Sequence, residues 1–226
     1  MSIMDENQRN AQLENEINKY DLHSKIDLSF HQLTDYDMNI VIKQAIIEKQ
    51  YKTLLLNDNL ISSEGATIIA NALNNNKTLE ELNLWNNKIS DDGVSALARV
   101  LSNNNETLRS LALGQNQISD IGIQHLAEML KTNQTISRLW LFSNEISDNG
   151  VKILADVLVH NNQNLQWLDL RLNKLMTDLC FDSIHNILKY NRTLKKFWME
   201  YCNLSWQIKA KIREIAHNKE DFNFGA

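Results

Sequence analysis

Apolar and polar positions along this chain repeat as one phrase. It reads Leu79-x-x-Leu82-x-Leu84-x-x-Asn87-x-Ile89-Ser90, then Leu108-x-x-Leu111-x-Leu113-x-x-Asn116-x-Ile118-Ser119. It continues as Ile136-x-x-Leu139-x-Leu141-x-x-Asn144-x-Ile146-Ser147 and Leu165-x-x-Leu168-x-Leu170-x-x-Asn173-x-Leu175. A shorter copy, Leu54-x-Leu56-x-x-Asn59-x-Ile61-Ser62, precedes these. Looser copies flank the set: Ile26-x-Leu28-x-x-His31-x-Leu33-Thr34 and Leu194-x-x-Phe197-x-Met199-x-x-Cys202-x-Leu204-Ser205. The anchors His31, Asn59, Asn87, Asn116, Asn144, Asn173 and Cys202 are spaced by 28, 28, 29, 28, 29 and 29 residues. A period held over seven copies marks an array.

The Leu-x-Leu alternation predicts a short strand. Gly65, Gly93, Gly122 and Gly150 each lie six residues beyond their Asn. Each opens a stretch with apolar residues at helical spacing: Ile69/Ala70/Leu73, Leu97/Ala98/Leu101, Leu126/Ala127/Leu130 and Leu154/Ala155/Leu158. Each unit is therefore predicted to be a strand, a turn and a helix of about two to three turns.

Each repeated residue has a physical task. The Leu-x-Leu pair points inward and stacks on its counterparts in neighbouring units. The Asn amide carries donors and an acceptor, so it can satisfy backbone groups where the chain leaves the strand. Asn59, Asn87, Asn116, Asn144 and Asn173 should form a ladder, with His31 and Cys202 replacing Asn only in the outermost copies. The glycines are expected to tolerate a close or left-handed backbone at the helix start. The sixth unit departs from the pattern. Counting back from its helix over 184–188, Cys180 stands where Gly is expected, which implies one extra residue in the 174–179 turn.

The ends of an array expose apolar rows and need covers. Residues 5–20 can form an amphipathic helix (Leu13, Ile17, Tyr20), and residues 206–219 a second (Trp206, Ile208, Ile212, Ile215), with Trp206 assigned to cap packing. The expected organisation is one solenoid: an N-terminal helical cap over 1–22, seven repeats over 23–205, and a C-terminal helical cap and tail over 206–226. The chain contains no proline, so nothing breaks the array.

This arrangement resembles the leucine-rich repeat. The 28/29-residue spacing with a full helix is similar to the ribonuclease-inhibitor-like subclass, found also in sensor regions of NOD-like receptors and in effectors of intracellular bacteria. The resemblance covers residues 23–205. It implies an α/β solenoid, a curved horseshoe segment with a parallel sheet on its concave face and helices on its convex face. For function it is less specific, because this fold hosts many roles.

Strand parity sends alternate residues to opposite sides. The outward positions on the seven strands are then Lys25/Asp27/Ser29, Thr53/Leu55/Asn57, Glu81/Asn83/Trp85, Ser110/Ala112/Gly114, Arg138/Trp140/Phe142, Trp167/Asp169/Arg171 and Lys196/Trp198/Glu200, with Tyr201 just after. Large aromatics gather on the third and on the fifth to seventh strands. The small residues Ser110, Ala112 and Gly114 lie between Trp85 and Trp140/Phe142, and a trough is expected there. Strands ~4.8 Å apart place Trp140 and Trp198 roughly 10 Å apart with Asp169 between them. Each Trp can bury on the order of 200 Å², so the cluster could supply much of the ~800 Å² per partner of a standard interface. Arg138, Asp169, Arg171 and Glu200 would set the partner's orientation around that centre. The competing expectation is that the rings merely lie on the sheet and cover their neighbours, or join two copies.

Composition excludes several function classes. The formal net charge is −5, which argues against a nucleic-acid groove or docking on an anionic membrane. No stretch approaches the roughly 20 apolar residues of a membrane span, and residues 1–20 lack the apolar core of a secretory signal. Two cysteines at repeat positions do not imply a disulfide, so a reducing, cytoplasmic compartment is expected, or the host cytosol for a translocated bacterial effector. Sequons occur at Asn76, Asn105, Asn133, Asn191 and Asn203. The first four belong to the phrase joining helix to strand, so the repeat accounts for them better than glycosylation. His23, His31, His125, His160, His185 and His217 are scattered over different units. None has a spacing to Cys or a carboxylate that suggests metal ligation or a nucleophile–base couple. His185 and Cys180 are placed on one helix as packing residues. No Gly-rich phosphate loop is present. No cofactor and no catalytic residue is expected. The expected function is recognition of a folded protein through the concave face, with inhibition or regulation of an enzyme by occlusion as its sharpest form. The alternative is a self-associating scaffold; a monomer is expected, with a homodimer as the variant.

Overall fold

A computed structural model of the chain describes residues 6–20, 24–74, 76–103, 105–217, 219 and 222–225. Residues 1–5 and 21–23, which the expected N-terminal cap and the start of the array include, lie outside the described residues, as do His23 and Ala226. Seven three-residue strands stand where the repeat predicts them: β1 (Lys25–Asp27), β2 (Thr53–Leu55), β3 (Glu81–Asn83), β4 (Ser110–Ala112), β5 (Arg138–Trp140), β6 (Trp167–Asp169) and β7 (Lys196–Trp198). An eighth, β8 (Asn223–Gly225), extends the sheet where only a tail was expected. All eight pair in parallel in chain order within one sheet. Register is in step with the repeat, for example Leu82↔Leu111 and Leu111↔Leu139.

Helices return the chain from each strand to the next: α3 (Ser63–Leu73), α4 (Ser90–Asn103), α5 (Asp120–Thr132), α6 (Asp148–His160) and α7 (Phe181–Tyr190). In the first repeat the helix is short, α2 (Met38–Val41), and continues as a π-helical stretch over Ile42–Glu48. Packed helix axes need ~8–10 Å and paired strands only ~4.8 Å, so the stack curves with the sheet on its inner side. The Leu-x-Leu residues and the helical apolar triplets fill one continuous core; Leu82, Leu84, Leu111, Leu113, Leu126 and Leu154 have no exposed surface.

The asparagine ladder forms as the spacing predicts. Asn144 accepts from Asn116 N (2.9 Å) and Ile118 N (3.1 Å), and donates to Leu113 O and Leu141 O (3.0 Å each). Asn59, Asn87, Asn116 and Asn173 make equivalent bonds. At the last rung the Cys202 thiol donates to Leu170 O. A second asparagine ladder lies at the helix-to-strand junction. Asn105, Asn133, Asn162 and Asn191 donate to the last helical carbonyls of the preceding repeat and accept from backbone N–H groups of their own turn. Sequons Asn76, Asn105, Asn133 and Asn191 are buried here, so the fold uses their amides.

A third ladder is made of aspartates. Asp91 accepts from Ser119 N (2.8 Å), Ser119 Oγ (2.6 Å) and Gly122 N (2.9 Å) of the next repeat. Asp35 holds Ser62 and Gly65 in the same way, Asp120 holds Ser147, and Asp148 holds Thr177. These carboxylates sit where helix N-termini carry partial positive charge. The glycines serve this contact: of the two expected reasons for glycine, the close approach is found and the left-handed backbone is not, since no glycine has positive φ. A Cβ on Gly122 would lie 2.5 Å from Asp91 Oδ1 and 2.6 Å from Ile118 Cγ2. Left-handed geometry falls instead on the residue before each anchor: Phe30, Asp58, Asn86, Gln115, Ser143, Leu172 and Tyr201 all have φ between 52° and 62°. The N–H groups of the first six extend the sheet by one rung, as Gln115 N does to Phe142 O (2.9 Å).

Three expectations need correction. The sixth repeat does carry an extra residue, but the core position goes to Met176, which is fully buried, while Leu175 is 55% exposed. Cys180 and His185 do not share a helix. Cys180 ends a 3-10 turn (Asp178–Cys180), and His185 is half-buried against the Phe181 ring at 6.0 Å. Trp206 is not packed in a cap. It is 75% exposed at the start of α8 (Trp206–His217), whose Ile212 and Ala216 make the buried contacts. At the other end α1 (Glu6–Asn18) buries Leu13 and Ile17 against the first repeat, and Arg9 pairs with the buried Asp37 (2.7 Å).

Candidate functional site

The residues assigned to the binding face all lie on the sheet side of β3–β7 or in the turns after them. Register places Trp140, Asp169 and Trp198 side by side on β5, β6 and β7, as expected. Trp85, Trp140, Phe142, Trp167 and Trp198 are each half-buried, because the rings lie against one another. Trp140 meets Trp167 edge-on with centroids 6.3 Å apart. Trp85 and Phe142 are tilted at 5.7 Å. The Trp198 indole N–H donates to Asn223 Oδ1 (2.8 Å), which fixes that ring against β8.

The expected trough is filled. Phe142 leans across the small residues of the fourth repeat, and its ring edge would lie 2.6–2.8 Å from a Cβ at Gly114. Gly114 is thus the seat of Phe142 and is closed to a partner. Ala112 stays half-buried beside it, and Ser110 is fully buried. Trp85 and Trp140/Phe142 are therefore parts of one aromatic surface, not two walls. Two buried atoms in it, Trp85 Nε1 and Ser110 Oγ, have no hydrogen-bond partner; filling the space with rings left them unpaired.

Charges interleave with the rings. Asp169 is 1% exposed, so it cannot meet a partner directly. It grips Arg171 in a forked ion pair (Nη2 to Oδ2 2.6 Å, Nε to Oδ1 2.9 Å). That hydrogen bond, against the opposing effect of burial, raises the Arg171 pKa above its ordinary value. Held so, the guanidinium lies over Trp198 (5.0 Å) and Phe142 (6.0 Å). Trp167 is flanked by Lys196 (3.8 Å) and Arg138 (5.7 Å). Glu200 folds against Gly225, leaving Oε2 buried without a partner. Tyr201 stands 68% exposed at the rim in left-handed backbone. For a bulky residue that conformation is uncommon and costs energy.

Elsewhere the surface offers less. A concavity of about 870 Å³ lies on the helical side among α5, α6 and α7, lined by exposed polar groups such as Glu128, Lys131, Asp156 and His160. Both cysteines are free and buried. Burial pushes the Cys202 thiol up to about 11 and Cys180 higher still, so neither supplies a thiolate at neutral pH. Among the described residues no group of three or more His, Cys, Asp or Glu is placed to hold a metal ion. No helix among them is long and apolar enough to cross a membrane.

The chain matches the leucine-rich-repeat family model over residues 75–98, 104–127 and 132–155. No curated protein matches the whole sequence closely enough to count. Among solved structures, actin-binding site 2 of leiomodin-1 is similar at 22% identity and a TM-score of 0.56, covering 69% of this chain and 85% of that one. An internalin from Listeria monocytogenes is similar at 21% identity and a TM-score of 0.58, covering 94% of this chain; the chain spans half of that internalin's length. At such identities the likeness is one of fold. Three repeats match the family model in sequence, and the flanking units continue the same parallel sheet in register: the fold is a leucine-rich-repeat solenoid.

Proposed function

We propose that the sheet face binds a folded protein partner, centred on Trp140, Trp167 and Trp198 with Phe142, Tyr201 and Arg171 around them. The observation that carries this is the aromatic row itself. Five large rings are held by a hydrogen-bonded scaffold on the sheet face, which no helix among the described residues covers. Preorganised Trp, Tyr and Arg side chains are the types that dominate interface energetics, and fixing them beforehand removes ordering cost on binding. The leiomodin fragment, which shares the fold, is named for binding actin. The narrower reading makes the partner an enzyme whose active site is occluded; it rests on the resemblance of the 28/29-residue spacing to the ribonuclease-inhibitor-like subclass.

The test is partner capture from a native extract with wild type, Trp140→Ala/Trp198→Ala and the helix-side control Lys152→Ala. Circular dichroism confirms the fold of each. The double variant should lose capture by at least about tenfold, while the control keeps it. Undiminished capture by a folded double variant would remove the sheet face from consideration. Sedimentation of pure protein reads the other outcome, since a dimer abolished by the same substitutions would make the occupant a second copy.

A further inference from the structure

We propose that the partner presents an acidic segment to the edge of this face, its carboxylates bridging Arg138 and Lys196 across the Trp167 ring. The inference deepens the reading above and rests on it. Arg138, Trp167 and Lys196 are register partners on β5, β6 and β7, so the two cations flank one indole roughly 10 Å apart. Both lie over that ring. Their charge is treated unlike that of Arg171, which Asp169 answers at 2.6 Å. Among the described residues no carboxylate comes within ion-pair distance of Arg138 or Lys196.

The neighbourhood adds to this imbalance. Arg109 precedes β4, and Arg192 and Lys195 lead into β7; all three are exposed. In a chain of net charge −5 this strip is a local reversal of sign. It ends at Glu81 on β3 and at the Lys52–Glu80 pair (3.2 Å), with Glu106 in the loop before β4. Three or four strands make a strip of about 15 Å, the length of four or five extended residues. That suits a short acidic segment better than a nucleic-acid backbone, which needs a longer basic track. Beside a Trp ring, screened from water on one side, a carboxylate gains a charge-assisted contact stronger than on open surface.

Fluorescence anisotropy tests this on the full chain with three labelled probes: a peptide of alternating glutamate and leucine, its glutamine-for-glutamate counterpart, and an oligothymidylate. The glutamate peptide should bind saturably, weaken about tenfold in Arg138→Gln/Lys196→Gln, and keep its affinity for Lys152→Gln. Its affinity should fall between roughly 50 and 300 mM salt, as screening shortens. The proposal is overturned if the glutamate peptide fails to saturate, binds the double variant equally well, or is matched by the glutamine peptide or exceeded by the oligothymidylate. If the peptide fails while Trp140→Ala/Trp198→Ala still abolishes partner capture, the docking face stands and only its acidic occupant falls.

Discussion

Asn116 has no exposed surface, and its amide serves backbone groups of two repeats: it accepts from Ile89 N and donates to Leu84 O and Gly114 O. Replacing it with Ala strands one buried N–H and two carbonyls at once. Asn116→Ala should therefore cost about 3 kcal/mol in urea unfolding, and a loss below about 1 kcal/mol would show that water replaces the amide. Gly122→Ala should cost about 2 kcal/mol, because the added methyl meets Asp91 Oδ1 and Ile118 Cγ2 with little room for either to move. The ladder was legible in the sequence because an amide recurring at a fixed period has one economical use. For the glycines the sequence leaves close approach and left-handed backbone as alternatives, because it reports permissiveness, not whether φ or space is what is needed; the structure selects close approach. The same limit applied at the site. Parity assigned the correct side to Trp140, Trp167 and Trp198, yet it could not say that Phe142 leans over Gly114 or that Asp169 turns down onto Arg171. Those are rotamer choices, set by neighbours 28 or 29 residues away.

Between elements, the aspartate ladder ties each helix start to the next, and one rung is missing. Ser63 stands where Asp35, Asp91, Asp120, Asp148 and Asp178 stand in other repeats. The next Ser, Ser90, has φ 54, whereas Ser62, Ser119 and Ser147 cap their helices in extended backbone. Ser63→Asp should restore the acceptor, let Ser90 return to the capping conformation, and stabilise the chain by about 1 kcal/mol. A destabilised variant would mean that the backbone at Ser63, 3.2 Å from where a Cβ on Gly93 would lie, is too close to Gly93 to admit the rung. The N-terminal helix gives a pH signature. Burial works to raise the Asp37 pKa, but hydrogen bonds from Arg9 and Thr34 outweigh it and the net shift is downward. A depressed folded pKa means the contribution is complete above the unfolded value near ~3.9 and is lost as pH falls through the lower folded value. Asp37→Asn should therefore cost about 2 kcal/mol at neutral pH, with the difference from wild type vanishing in strong acid. A pH-independent difference would assign the loss to packing. The Ser-Asp pairs behind the ladder were visible in the sequence, but linking them needed the register between repeats in space. Trp206 stays outside the cap for a related reason: an apolar residue at a helix start counts toward an amphipathic face only if the preceding turn aims it inward.

At the scale of the molecule the repeat period determined nearly everything in the middle and little at the ends. β8 was missed because Phe222 and Phe224 occur once, outside any phrase. In the structure Phe224 packs edge-on to Phe197 (6.0 Å), and Met199 N donates to Gly225 O (2.7 Å). A stack in which each repeat touches only its neighbours has nearly additive stability, so damage at one end should stay there. Deleting residues 221–226 removes the hydrogen bonds of Met199 N and the Trp198 indole and uncovers Phe197. Hydrogen exchange should then quicken at Leu170 N and Met199 N, corresponding to about 1–3 kcal/mol of lost protection, and remain unchanged at Leu56 N and Leu84 N. The emission of Trp198 should shift to the red in the same variant. An even rise in exchange across β1–β7 would instead show that the array unfolds as one cooperative unit. In that case the aromatic face at β5–β7 would owe its rigidity to the whole stack, not to the strands beside it.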